Sequence, residues 1–301
     1  RLRKAAERLY EDSRLRDALN DEEAQRLLSW AYSRLEQAVE RTEGLPAEEA
    51  ASTLRPDDAV LLHLSIGSDV NEIFRGLPCR KAILYHNVTP AGFFRGLHEE
   101  TAALLARGRE QVASLAGVAD VVLADSSLNA GELEDLGYGP VRVLPLVLDL
   151  DALVHRPNRH VLRTLNDGRT NILFVGRLAP NKRIEDCLAA FYYYKRYVNP
   201  QSRFLHVGSS VGMERYQSLL LSFIHERGLE GVELVGAVTQ SELNAYFQGS
   251  HLFLCMSDHE GFCIPLIEAM VHDVPIVAYD AGAVAETLDG SGVLVREKRF
   301  D

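Results

Sequence analysis

No apolar run in this 301-residue chain approaches the ~18 residues needed to cross a bilayer, and no signal-type hydrophobic segment stands near its first residues. Those absences predict a cytoplasmic protein. Cysteine is scarce too: Cys79, Cys187, Cys255 and Cys263 are scattered, without the close paired spacings of a zinc site or a disulfide framework. Reduced thiols are expected. Excess positive charge is also missing. With 43 acidic against 32 basic residues the net charge is −11, which argues against nonspecific nucleic-acid binding. Any polyanion site must be a local basic patch on an acidic body, and that suits a small phosphorylated ligand. Finally, no Asp-x-Asp pair is framed to hold a divalent cation.

What is present is 47% apolar content, enough for two cores rather than one. Residues 1–43 repeat apolar positions at helical spacing, with Asn20 and Glu23 placed like a capping box, and predict an antiparallel helical hairpin that packs or oligomerises. Residues 44–56 read as a connector, closing a first region over 1–55. Short apolar runs at 59–65, 82–87, 120–126 and 141–146 then alternate with helical stretches at 98–116 and 128–136, predicting a Rossmann-like domain over 56–155. Residues 156–169 lose that regularity and read as a linker. A second alternating series fills 170–301, with runs NILFVG, RFLHVG, VELVG, HLFLCMS, PIVAYD and GVLV. The fold class is α/β: two doubly wound domains, with ligands expected beyond the carboxyl ends of the strands.

Two stretches carry chemistry. In VGRLAPNKRIEDCLAAF (175–191) a strand ends at Gly176, where backbone can approach a ligand, and Arg177, Lys182 and Arg183 follow at a helix start. Cations there oppose the helix macrodipole, so an anionic ligand such as a diphosphate is one explanation; pairing of Lys182 and Arg183 with Glu185 and Asp186 is the other. In SDHEGFCIPLIEAM (257–270) Pro265 marks a helix start, with Glu260 in the loop before it and Glu268 in its opening turns. Both carboxylates can then hold sugar or ribose hydroxyls. Gly261 leaves room for a ligand, and the amides of Phe262, Cys263 and Ile264 form an anion nest. The alternative is a helix-capping Glu268 and a solvated Glu260.

EGFCIPLIEAM resembles the E-x7-E signature of retaining GT-B-fold glycosyltransferases, and FVGRLAPNKRIEDCLAAF resembles the donor-phosphate segment of their family 4. ADVVLADSSLNAGELEDLGY (119–138) and AYDAGAVAETL (278–288) are similar to further segments of that family, so the resemblance covers about residues 57–296. It implies GT-B architecture, two Rossmann-like domains facing a cleft, with the acceptor-side domain first (incomplete at its start) and the nucleotide-sugar domain second. It further implies Arg177 and Lys182 on the diphosphate, Glu268 on the ribose, and Glu260 on the transferred sugar. Gly176, Gly208, Val235, Gly261, Phe262, Cys263 and Ile264 would border the donor. Cys263 stands where the family has glycine. His86, in YHNVTPAGFF, is the implied first-domain catalytic residue; His63 and Ser65 are further positions at the preceding strand end.

The expected activity is retaining, metal-independent hexosyl transfer without a cofactor. The donor would be GDP-mannose, with a UDP-hexose second, and the acceptor a glycan or lipid-linked glycan of polysaccharide biosynthesis, bringing peripheral contact with an inner membrane. The alternatives are a sugar-nucleotide-binding scaffold without catalysis and a GT-B-fold epimerase or hydrolase.

Overall fold

The computed structural model describes residues 45–154 and 156–299, so the hairpin expected over 1–43, and any oligomer formed through it, lie outside the described residues. Two compact units are present: one holds 45–95 and 99–146, the other 96–98 and 147–299.

In the first unit, α1 (Ala47–Thr53) occupies part of the stretch expected to be a connector. Four parallel strands follow: β1 (Ala59–Leu64), β2 (Arg80–Tyr85), β3 (Val121–Ala124) and β4 (Arg142–Val143). Between them run α2 (Asp69–Gly76), α3 (Glu99–Ser114) and α4 (Ser127–Asp135). Two of these helices begin on serine caps: the Ser68 hydroxyl accepts from the Val70 amide and the Ser126 hydroxyl from the Asn129 amide. The strands lie side by side in chain order, β1-β2-β3-β4, so among the described residues this sheet has no reversal of strand order. Its strand ends step along one edge, which sets the carboxyl ends of β1, β2 and β3 next to one another.

The second unit opens with α5 (Leu150–Val154) and α6 (Arg159–Leu165). The stretch 156–169, read above as a linker, therefore carries a helix of this unit. Buried Arg203 donates to the carbonyls of Thr164 and Leu165, tying the end of α6 to the sheet. The six expected strands all form: β5 (Thr170–Val175), β6 (Ser202–Val207), β7 (Val232–Gly236), β8 (Leu252–Cys255), β9 (Ile276–Tyr279) and β10 (Val293–Val295). They are joined through α7 (Ile184–Tyr197), α8 (Glu214–Glu226), α9 (Gln240–Gln248), α10 (Ile264–Val271) and α11 (Val284–Leu288). The order β10-β9-β8-β5-β6-β7 reverses direction between β5 and β8, the doubly wound topology whose switch point opens a ligand crevice.

Packing follows the sequence periodicity. On α7 the buried positions Ile184, Cys187, Leu188 and Phe191 fall at i, i+3, i+4 and i+7, each such side chain contributing about 1.5–3 kcal/mol on burial. The aromatic run 191–197 divides accordingly: Phe191 is core, while Tyr193 and Tyr197 are exposed on the opposite face. All four cysteines are free and buried, as their scattering suggests.

Candidate active site at the switch point of the second sheet

The carboxyl ends of β5, β6 and β7 are built from glycine backbone. The Gly176 amide donates to Val207 O, and the Gly208 amide donates to Gly236 O, both at 2.9 Å. A Cβ on Gly208 would lie 1.9 Å from Gly176 O, so only glycine lets these two strand ends touch. Val235, one residue before the end of β7, is half-buried there. Arg177 follows Gly176 with an exposed side chain whose Nη2 donates to Val211 O at 3.1 Å, which holds the guanidinium over the loop after β6.

The two cations that follow separate. Residues 180–182 form a 3-10 turn and Arg183 takes a left-handed conformation (φ 51°), so α7 begins only at Ile184. Lys182 and Arg183 thus precede the helix instead of occupying its first turn, where Glu185 and Asp186 sit as the macrodipole favours. Arg183 is neutralised locally by Glu185, Asp186 and Asp258. Lys182 is not. Its Nζ reaches across to Glu260 Oε2 at 2.7 Å, with Glu260 buried. Burial alone would lower the Lys182 pKa; the Glu260 carboxylate overrides it and the net shift is upward. Lys182 therefore stays an ammonium ion.

Glu260 owes its place to two neighbouring segments. Asp258 N–H donates to Asn181 O at 2.9 Å, stitching the loop after β8 to the 3-10 turn. Ala283 N–H donates to Glu260 O at 2.9 Å, and Gly282 (φ 61°) packs so closely that a Cβ would stand 2.2 Å from that same oxygen. The loop then passes Gly261 and Phe262, whose carbonyl accepts from the Thr287 hydroxyl, to Cys263 at the N-cap of α10. The helix starts at Ile264, with Pro265 in its opening turn. Among the described residues the amides of Phe262, Cys263 and Ile264 donate to no protein acceptor, so none of these three N–H groups is committed within the protein.

Cys263 occupies a left-handed backbone position, φ 73°. Its hydrogen bond to Cys255, then burial, push its pKa well up, so the thiol is neutral and no nucleophile. Cys255, Glu260 and Cys263 have their ligand atoms within 4.8 Å of one another, a metal-capable grouping, but the carboxylate in it already carries the Lys182 ammonium. Glu268, in the second turn of α10, is buried without a side-chain hydrogen bond among the described residues, and burial raises its pKa to about 7. A carboxyl poised between its two forms can both donate to and accept from hydroxyl groups.

In the first unit, His86 directly follows β2, and both its ring nitrogens are occupied. Nδ1 lies 3.1 Å from Asp125 Oδ2, and Nε2 lies 2.9 Å from Nδ1 of His63. Asp125 lies in the stretch 119–138, whose resemblance assigns it no role, and strand register brings it beside His86. Ser65 is exposed just past β1.

Residues 169–300 match the family described as glycosyl transferases group 1. A GDP-mannose-dependent alpha-mannosyltransferase of Mycolicibacterium smegmatis is 32% identical over 128 residues, 42% of this chain and 30% of that protein. A GDP-mannose:cellobiosyl-diphosphopolyprenol alpha-mannosyltransferase of Xanthomonas oryzae is 34% identical over 138 residues, 44% of this chain and 35% of that protein. These alignments thus span about a third of each relative. Among solved structures, Anabaena HepE in complex with UDP-glucose superposes with a TM-score of 0.66 at 18% identity, covering 83% of this chain and 67% of that one. Sucrose-phosphate synthase of Thermosynechococcus elongatus gives 0.64 at 21% identity, covering 79% and 61%. The chain therefore has the two parallel-sheet Rossmann-like bodies of the GT-B fold, and its residues 169–300 are similar to the glycosyl transferases group 1 domain.

Proposed function

We propose that this protein transfers a hexose from a nucleoside-diphosphate sugar to a glycan or lipid-linked acceptor, with retention of anomeric configuration and without a metal ion. The observation that carries this reading is the Lys182–Glu260 pair beside the uncommitted amides of residues 262–264, at the crevice between β5 and β8. Lys182, Arg177 and the amides would bind the diphosphate and stabilise the charge it gains as its bond to the sugar breaks, since they are already aimed there before the reaction. Those fixed charges do the work a divalent cation would otherwise do. Glu268 would take the ribose hydroxyls and Glu260 the transferred sugar, while the histidines at the strand ends of the first unit are assigned to the acceptor.

The names of the two mannosyltransferase relatives make GDP-mannose the first donor to test, and the UDP-glucose complex of HepE makes a UDP-hexose the second. The test is a screen of GDP- and UDP-sugars with lipid-linked glycan acceptors, reading acceptor-dependent product and its anomeric configuration by NMR. Retained product from one donor is the expected result. Nucleotide-sugar binding without product under any pairing, or an inverted product, would overturn the proposal.

A further inference from the structure

Three side chains from three adjacent strand ends of the first unit form a line. His63 is the fifth residue of β1, His86 follows β2, and Asp125 follows β3. Exposure falls along it: His63 is exposed, the His86 side chain is 21% exposed and that of Asp125 only 3%. The two imidazoles lie within 12° of parallel with centroids 5.1 Å apart. That separation is what two rings meeting end to end through a 2.9 Å contact require, so the contact is an in-plane hydrogen bond between rings.

Hydrogen-bond accounting then assigns every proton. Asp125 Oδ1 accepts from Asn129 Nδ2 at 2.5 Å, and an ionised carboxylate only accepts, so Oδ2 takes the Nδ1–H of His86. In a neutral ring that leaves His86 Nε2 as an acceptor, and His63 Nδ1–H must donate to it, because two lone pairs cannot face each other at 2.9 Å. Among the described residues one imidazole lone pair in the array is left uncommitted: Nε2 of His63. Tyr85 also interacts with Asp125, and burial keeps its hydroxyl protonated.

We propose that His63, and not His86, is the proton-accepting residue of the first unit, with His86 and Asp125 acting behind it as a two-step relay. The assignment of an acceptor hydroxyl as its substrate rests on the glycosyl-transfer reading above. In the step, the hydroxyl oxygen bonds to the anomeric carbon while the bond from that carbon to the diphosphate oxygen breaks, its electron pair leaving with the diphosphate. The hydroxyl proton passes to His63 Nε2, and the His63 Nδ1 proton passes to His86 Nε2. The imidazolium so formed on His86 faces the Asp125 carboxylate. Burial, then the neighbouring His86, lower the His63 pKa, which keeps that ring a free base near neutral pH.

Long-range proton–nitrogen NMR of the whole protein reads the tautomers directly. Both rings are expected as Nδ1–H, and Asp125→Asn is expected to release them to Nε2–H with the fold intact by circular dichroism. His63→Gln should reduce sugar transfer by about 100-fold at unchanged nucleoside-diphosphate affinity. An Nε2–H tautomer for His63 in the unmodified protein, or full turnover in His63→Gln, would overturn the inference. If the unmodified protein transfers no sugar, the functional reading fails, and with it the acceptor role, while the tautomers still decide the relay.

Discussion

At the scale of single residues, the site is organised by which charges pair with chain neighbours and which pair across to a distant loop. Arg183 is surrounded by three carboxylates, whereas Lys182 shares Glu260 with the place where a diphosphate would sit. Lys182→Ala is therefore expected to weaken nucleoside-diphosphate binding about 10- to 100-fold, the loss of one charge-assisted hydrogen bond, while unphosphorylated nucleoside binds as before. Isothermal calorimetry with both ligands checks this, and equal losses for the two would remove Lys182 from the phosphate site. The same substitution leaves the buried Glu260 carboxylate unpaired, so its melting temperature should fall. Restoring neutrality with Lys182→Ala plus Glu260→Gln should recover most of that loss, because the cost lies in the stranded charge and not in the missing pair. A double-mutant cycle by urea denaturation measures it.

At the scale of elements, the loop that carries Glu260 is positioned by contacts that tolerate no side chain. Gly282, just before α11, touches the backbone of Glu260, whereas Gly290 has a similarly left-handed φ of 74° but open space around its Cβ position. Gly290→Ala should cost only the left-handed backbone penalty, about 1–2 kcal/mol. Gly282→Ala adds a clash at 2.2 Å from Glu260 O, so it should displace the loop and weaken nucleotide binding well beyond the stability loss it shares with the control. Equal affinity in the two variants would mean that α11 does not hold Glu260. Much of this element was legible in sequence: the Pro265 signal and the seven-residue spacing put Glu260 in a loop and Glu268 in a helix, as found. What spacing could not show is that Asn181 and Gly282, 79 and 22 residues away from Glu260 in the chain, meet at that loop. Pairing between strands that are not neighbours in the chain sets such contacts, and a local pattern carries no record of them.

At the scale of the whole molecule, two buried groups tilt stability in opposite directions. His206, in β6, stacks on Phe174 with neither ring nitrogen hydrogen-bonded among the described residues, and burial lowers its pKa from 6.5 to about 4. Its neutral form is the folded form, so stability present above pH 6.5 is lost as pH falls toward 4. Glu268 runs the other way: its pKa is raised from 4.5 to about 7, and stability present below pH 4.5 is lost as pH rises through 7. Each amounts to about 3 kcal/mol over its full range. Between pH 4.5 and 6.5 the two slopes cancel. Substituting either group should expose the other: Glu268→Gln should make stability climb with pH across that window and gain about 3 kcal/mol at pH 8, and His206→Phe should make it decline. Urea midpoints from pH 4 to 8 read both, and parallel curves for the three proteins would contradict the burial account. By itself the sequence determined the strands of both units and the longer helices between them, because apolar runs and helical periodicity are local; the short helices α1, α2, α5 and α6 were not legible in it. It also determined that cations and carboxylates stand just after particular strands. Only the tertiary structure decided which of them meet. The strand order that reverses between β5 and β8 sends Lys182 to Glu260, and the order β1-β2-β3 aligns His63, His86 and Asp125. Proximity between distant segments arises from sheet register and burial, and those depend on the whole chain at once.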